Sequence, residues 1–135
     1  MALICSNERG ANPPVGQNQR RHMTMDAATR QALEESIAHW IENIEARTFS
    51  EAKIFADHCA LCKMFTRERE EDGETVCDGC PVYEATETHN CNHRRWHACW
   101  ETYKQWSANE TSIEARNNFR TAAQAMHDFL VSLRP

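Results

Sequence analysis

A chain of 135 residues carrying 26% charged side chains and a formal charge of −5 has the size and polarity of one globular domain. No stretch is long and apolar enough for a membrane span, and the first ten residues lack an apolar run of signal-peptide length, so a cytoplasmic chain is expected. In a reducing cytoplasm, seven cysteines, an odd number, point to metal ligation before a disulfide framework.

Residues 6–22 hold one branched aliphatic side chain, Val15, and no helical period, and residues 1–24 read as a disordered tail ahead of a single domain over 25–135. The first helix is announced by Leu33, Ile37, Trp40, Ile41 and Ile44, which share one face of a 3.6-residue period. Thr24 or Asp26 would cap its start, Thr48 would close it, and Glu34, Glu35, Glu42 and Glu45 would lie on its solvent face. A second, short helix is predicted from Ser50 to about His58, because Phe49 and Ile54 have the spacing of a hydrophobic staple.

Two cysteine pairs follow, Cys59-Ala60-Leu61-Cys62 and Cys77-Asp78-Gly79-Cys80-Pro81. Two residues between cysteines allow both sulfurs of one tight turn to face a single ion, and two such turns complete a tetrahedral four-sulfur zinc site. Gly79 supplies backbone freedom and Pro81 stiffens the exit. Between the pairs, Asp72-Gly73 is expected at the tip of a hairpin with arms near Lys63–Thr66 and Glu74–Val76. The same spacing is compatible with an iron–sulfur cluster or a dithiol redox pair, which rank behind zinc.

Beyond the pairs, His89, Cys91, His93, His97 and Cys99 crowd together. Cys91 is a substitute for one of the four zinc ligands, and His93, His97 and Cys99 form a candidate second metal site. Residues 93–106 place Trp96, Trp100 and Tyr103 at i, i+4 and i+7 of a further helix. With Arg94 and Arg95 they are a candidate binding surface, since Trp, Tyr and Arg dominate interface energetics. The last helix begins at a capping box, Thr111-Ser112-Ile113-Glu114, and continues with Ala115, Phe119, Ala122, Met126, Phe129 and Leu133 as a core-facing or dimer-facing stripe. The expected fold is therefore mainly α: three or four helices around a zinc-stapled loop with a short, zinc-ribbon-like β-hairpin.

Charge is unevenly placed. Residues 25–80 hold thirteen acids against six bases, residues 81–135 hold six of each, and the first 24 residues carry Arg9, Arg20 and Arg21 against Glu8. Nucleic-acid binders usually show a basic patch, and here only the tail and Arg94-Arg95 supply one.

Glu35-Ser36-Ile37-Ala38-His39-Trp40, the two cysteine pairs, Val82-Tyr83, Thr86 and the later Cys91 together resemble a family of small, functionally uncharacterised cysteine-rich proteins of bacteriophages and bacteria. The resemblance spans residues 33–91 and implies a metal-stabilised fold in a phage or prophage setting, with no activity attached. The family continues past its lone cysteine with Gly-Thr/Ser-Pro-Tyr, where this chain reads Asn92-His93-Arg94-Arg95-Trp96. The leading functional expectation is a protein-binding adaptor or inhibitor held together by structural zinc. The alternatives are a zinc-dependent nucleic-acid-binding regulator using Arg94 and Arg95, and a metal-dependent hydrolase or nuclease using His89, His93 and His97.

Overall fold

The computed structural model describes residues 25–55, 58–88 and 93–135. The tail expected over 1–24, with Cys5, and the candidate ligands His89 and Cys91 lie outside the described residues. Five α-helices and one two-stranded sheet make up the described chain: α1 Ala27–Glu45, α2 Ala60–Phe65, β1 Arg67–Glu68, β2 Thr75–Val76, α3 Pro81–Thr86, α4 Arg94–Ala108 and α5 Ile113–Ser132. The mainly helical expectation holds.

Asp26 caps α1, its carboxylate accepting the Thr29 N–H at 2.7 Å, and that hydrogen bond is the main reason its pKa is lowered. Leu33, Ile37 and Trp40 are buried as the periodicity requires, but Ile41 is 41% exposed. Ser36 and Asn43, both polar, take buried places on that helix. The Asn43 side chain accepts the Lys53 N–H at 2.8 Å and donates to the Lys53 carbonyl at 3.1 Å. This grip on both polar groups of one residue holds 52–54 away from helical pairing. Within the described part of the helix predicted from Ser50 to His58 there is a 3-10 turn, Phe49–Glu51, and then a non-helical stretch over 52–54 in which Ala52 and Ile54 are buried; residues 56 and 57 lie outside the described residues.

Helices α1 and α4 both pack on α5. The stripe on α5 is core-facing: Ala115, Phe119, Ala122, Met126 and Leu133 are buried, with Ala123 and Leu130 beside them, while Phe129 is half-buried. Its cap is Ser112, whose Oγ accepts the Ala115 N–H at 3.0 Å, one residue later than a box built on Thr111 would have it. Arg120 and Arg116 reach from α5 to the Ile44 and Ala46 carbonyls at the end of α1. Arg134 closes the frame with a two-pronged ion pair to Glu34, at 2.7 and 2.8 Å.

The hairpin lies where expected, with its ladder displaced. Cys59 starts α2, so the residues foreseen as the first arm are helical up to Phe65, and pairing begins at Arg67↔Val76 and Glu68↔Thr75. Asp72-Gly73 does form the tip. Gly73 has φ +73°, its N–H bonds the Arg69 carbonyl, and Arg69 pairs with Asp72 at 2.8 Å.

Candidate metal centre

The two cysteine pairs are presented in different ways. Cys59 is the N-cap of α2, and Cys62 sits in that helix's first turn. Cys77-Asp78-Gly79-Cys80 is a tight turn closed by the Cys80 N–H on the Cys77 carbonyl at 3.1 Å, after which Cys80 caps α3 and Pro81 takes its first position. Gly79 makes the turn feasible, at φ +90° and with the Phe65 ring edge 3.2 Å from where a Cβ would stand. Arg67 on β1 donates to Asp78 inside the turn at 2.5 Å, tying the sheet to the second pair.

These elements put Cys59 beside Cys62 and within electrostatic reach of Cys80. The Cys59 sulfur exchanges a side-chain hydrogen bond with Cys62, lies 3.6 Å from Ser36 Oγ on α1, and is close enough to Cys80 for their charges to interact. Ser36 Oγ also accepts the Leu61 N–H at 3.4 Å, so one buried hydroxyl on α1 positions the first pair. Leu61 and Val82 belong to the same buried apolar core as Cys77 and Cys80, and Val76 is buried beside Cys77 in the chain.

The sulfurs collect backbone donors. Cys59 receives the Cys62 N–H, and Cys80 receives the N–H groups of Tyr83 and Val82; each contact lowers the pKa of the sulfur it touches. A neutral thiol is a weak acceptor, whereas a thiolate profits from such N–H groups. Without a cation the opposite influences win. The Cys62 hydrogen bond, then burial, drive the Cys59 pKa well up, and burial pushes Cys80 to about 12. A dithiol redox catalyst needs a depressed thiol pKa, and neither sulfur has one.

Cys77 differs from its neighbours: it is disulfide-bonded, while Cys59, Cys62, Cys80 and Cys99 are thiols. Among the described residues no group of three or more His, Cys, Asp or Glu is arranged to hold a metal ion.

The candidate second site is likewise unassembled among the described residues. His93 is the N-cap of α4 and is buried, His97 is exposed one turn on, and Cys99 is fully buried, its pKa pushed to about 12 by desolvation. The His93 ring packs 5.5 Å from the Phe129 ring, and neither of its nitrogens has a hydrogen-bond partner among the described residues. Burial, then Arg95 and His97, depress its pKa to about 4.

The third group of sequence candidates divides. Trp96, Trp100 and Tyr103 form a ladder along α4, with ring centroids 6.2 Å apart and interplanar angles of 12° and 17°. Phe55, which the periodicity did not single out, stands edge-on to all three at 5.4–6.5 Å and is 44% exposed. Trp96 is pinned by its indole N–H on the Ile54 carbonyl at 2.7 Å, and Lys104 lies 5.1 Å over the Trp100 ring. The arginines belong elsewhere. Arg95 stacks on Phe129 of α5 at 4.4 Å, and Arg94 precedes Trp96 by two residues, putting it across the helix from the ladder.

No family model, curated protein or solved structure matches this chain.

Proposed function

We propose that this chain is a zinc-stapled helical binding module that docks a protein partner on the aromatic shelf formed by Phe55, Trp96, Trp100 and Tyr103. One observation carries the reading. Three large rings stack along α4 with Phe55 edge-on to them and left 44% exposed. Rigid aromatic side chains give large contact areas at small entropic cost, and such rings dominate the centres of protein interfaces. Zinc on the cysteine pairs would serve the shelf indirectly. It would fix the segment between α1 and α4, including the end of the loop that carries Phe55.

Nucleic acid is the weaker partner on this geometry. The rings stack on one another, and Arg94 and Arg95 point away from them, so no basic groove tracks the ladder. The resemblance to phage and bacterial proteins supplies the setting for the proposal, a partner in a bacterial cytoplasm.

The test compares the wild-type chain with the double variant Phe55→Ala/Trp100→Ala as bait against bacterial lysate, followed by titration of the captured protein. Saturable binding by the wild type, weakened at least about 30-fold in a variant with unchanged helical circular dichroism, is the expected result. Equal binding by both baits would place the interface elsewhere, and no saturable partner would remove the reading.

A further inference from the structure

We infer that the aromatic shelf is capped by a segment of the chain itself, Asn12-Pro13-Pro14-Val15, laid along the ladder as a polyproline II stretch that a partner must displace. This deepens the docking reading above and rests on the same shelf.

The shelf asks for an occupant of a particular chemistry. Its three stacked rings and Phe55 offer apolar surface, and Phe55 remains 44% exposed. Its polar groups are donors. The Trp96 indole N–H is taken by the Ile54 carbonyl, whereas the Trp100 indole N–H and the Tyr103 hydroxyl have no hydrogen-bond partner among the described residues and are not sealed from solvent. A segment that answers this needs apolar side chains and free carbonyls, with few N–H groups of its own to leave unpaired. Proline in polyproline II meets each condition: its ring is apolar, it has no N–H, and the conformation makes no internal hydrogen bonds, so its carbonyls are free to accept. Aromatic-lined grooves bind such segments at low entropic cost, because the conformation is preformed.

The chain holds such a segment ahead of the described residues, where Pro13 and Pro14 are adjacent and Val15 follows. In polyproline II the four residues from Asn12 to Val15 extend about 12 Å, the length of a ladder of two 6.2 Å steps. The tether reaches. Glu34 of α1 pairs with Arg134 just beyond α5, and His93 at the start of α4 packs on Phe129 near the end of α5, so α1 and α4 both begin at that end of the frame. Met25, where the segment joins the described chain, is packed against the core. Residues 16–24 span up to about 30 Å when extended, against about 28 Å for the whole of α1. The proline pair can therefore arrive at Trp96, in the first turn of α4, and at the rings beyond it. Charge favours the return: residues 1–24 carry three arginines against one glutamate, and residues 25–80, which include Phe55, carry thirteen acids against six bases. Tethering supplies an effective concentration in the millimolar range, roughly, so an affinity too weak for capture in free solution suffices.

The test uses the full chain and its double variant Pro13→Ala/Pro14→Ala, with a synthetic peptide of residues 9–19 as the probe. Indole N–H resonances report on each tryptophan separately. Replacing the prolines should move the Trp100 resonance and leave those of Trp40 and Trp106, 3% and 1% exposed, in place. The peptide should bind the proline variant saturably and the wild-type chain at least about 10-fold more weakly, because the tethered segment competes. The same peptide with both prolines replaced by alanine should not bind. A Trp100 resonance unmoved by the substitution, or equal peptide affinity for the two chains, would overturn the cap. A Trp100 difference that fades on dilution would assign the shelf to the same segment of a second copy, and overturn the cap within one chain. Binding of a proline decapeptide where residues 9–19 fail would give the shelf to a partner's proline-rich segment and overturn the cap as well. The docking reading has its own readout. A lysate partner lost on Phe55→Ala/Trp100→Ala, with Trp100 unmoved by the proline change, sinks the cap alone; a cap present with no saturable partner sinks the docking reading alone.

Discussion

At the scale of single residues, two positions carry sharp consequences. His93 is 6% exposed, its ring nitrogens have no partner among the described residues, and its pKa is depressed to about 4 from an ordinary 6.5. The unfolded chain therefore takes up the proton first as pH falls. The stability contributed by neutral His93 is complete above about pH 6.5, declines between there and pH 4, and is fully lost below, a change on the order of 3 kcal/mol. Urea denaturation between pH 7 and pH 4 should show this decline, and His93→Phe should flatten it in that window. An unchanged slope in the variant would mean that other groups carry the acid sensitivity. Gly79 is the second position. An alanine there must adopt φ +90° with its Cβ 3.2 Å from the Phe65 ring, so Gly79→Ala should cost about 1–3 kcal/mol and disturb the second cysteine pair. Thermal melts with a parallel zinc titration measure both effects. Gly79 was legible in the sequence because it lies inside a cysteine pair; the burial of His93 was not, because it depends on Phe129 arriving from another helix.

At the scale of elements, what the sequence reveals follows the range of the forces involved. Helices α1, α4 and α5 are long enough for periodicity to show, and their caps Asp26 and Ser112 are local signals. Helices α2 and α3 have six residues each, too few for a period, and were not foreseen. The helix expected after Ser50, which is absent over 52–54, is the reverse case. Its local staple pattern is genuine, but Asn43, ten residues earlier, takes both backbone groups of Lys53 and overrides it. Asn43→Ala leaves those groups in want of partners and should destabilise the chain by about 1–3 kcal/mol. Because Ile54 anchors the Trp96 indole, the variant should also change tryptophan fluorescence. A variant with wild-type melting and emission would show that 52–54 holds its path without Asn43. Within the candidate site, the cysteine pairs and the hairpin tip were readable from spacing and turn chemistry. Ser36, a buried hydroxyl in the middle of α1, was not, because nothing in its local sequence says that a sulfur lies 3.6 Å away.

On the scale of the whole molecule, the described chain is a frame with a lobe. The frame is α1, α4 and α5, joined by the packing of two helices on the third and by the Glu34–Arg134 ion pair. Its largest fully buried side chains, Trp106, Phe119, Leu33 and Leu130, include none of the cysteine pairs. The lobe, residues 59–88, has two six-residue helices and strands of two residues, elements too short to stand without tertiary support. Its support comes from α1, through Ser36, and from its own sulfurs. If zinc links those sulfurs, removing it should loosen the lobe before the frame. Hydrogen exchange on the Cys62→Ser variant, or on reduced chain treated with a chelator, should show amide protection lost across 60–86 and retained in the centres of α4 and α5. Loss of protection throughout would make lobe and frame one cooperative unit, with zinc holding the entire fold. Full protection in the lobe would mean that apolar packing of Leu61, Val76 and Val82 suffices without the metal. The aromatic shelf adds a second readout to the same experiment, because Phe55 belongs to the loop leading into the lobe while Trp96, Trp100 and Tyr103 belong to the frame. A loosened lobe should therefore free Phe55 from the ladder and red-shift tryptophan emission while α4 stays helical, which is how a zinc-dependent lobe would control a binding face it does not itself contain.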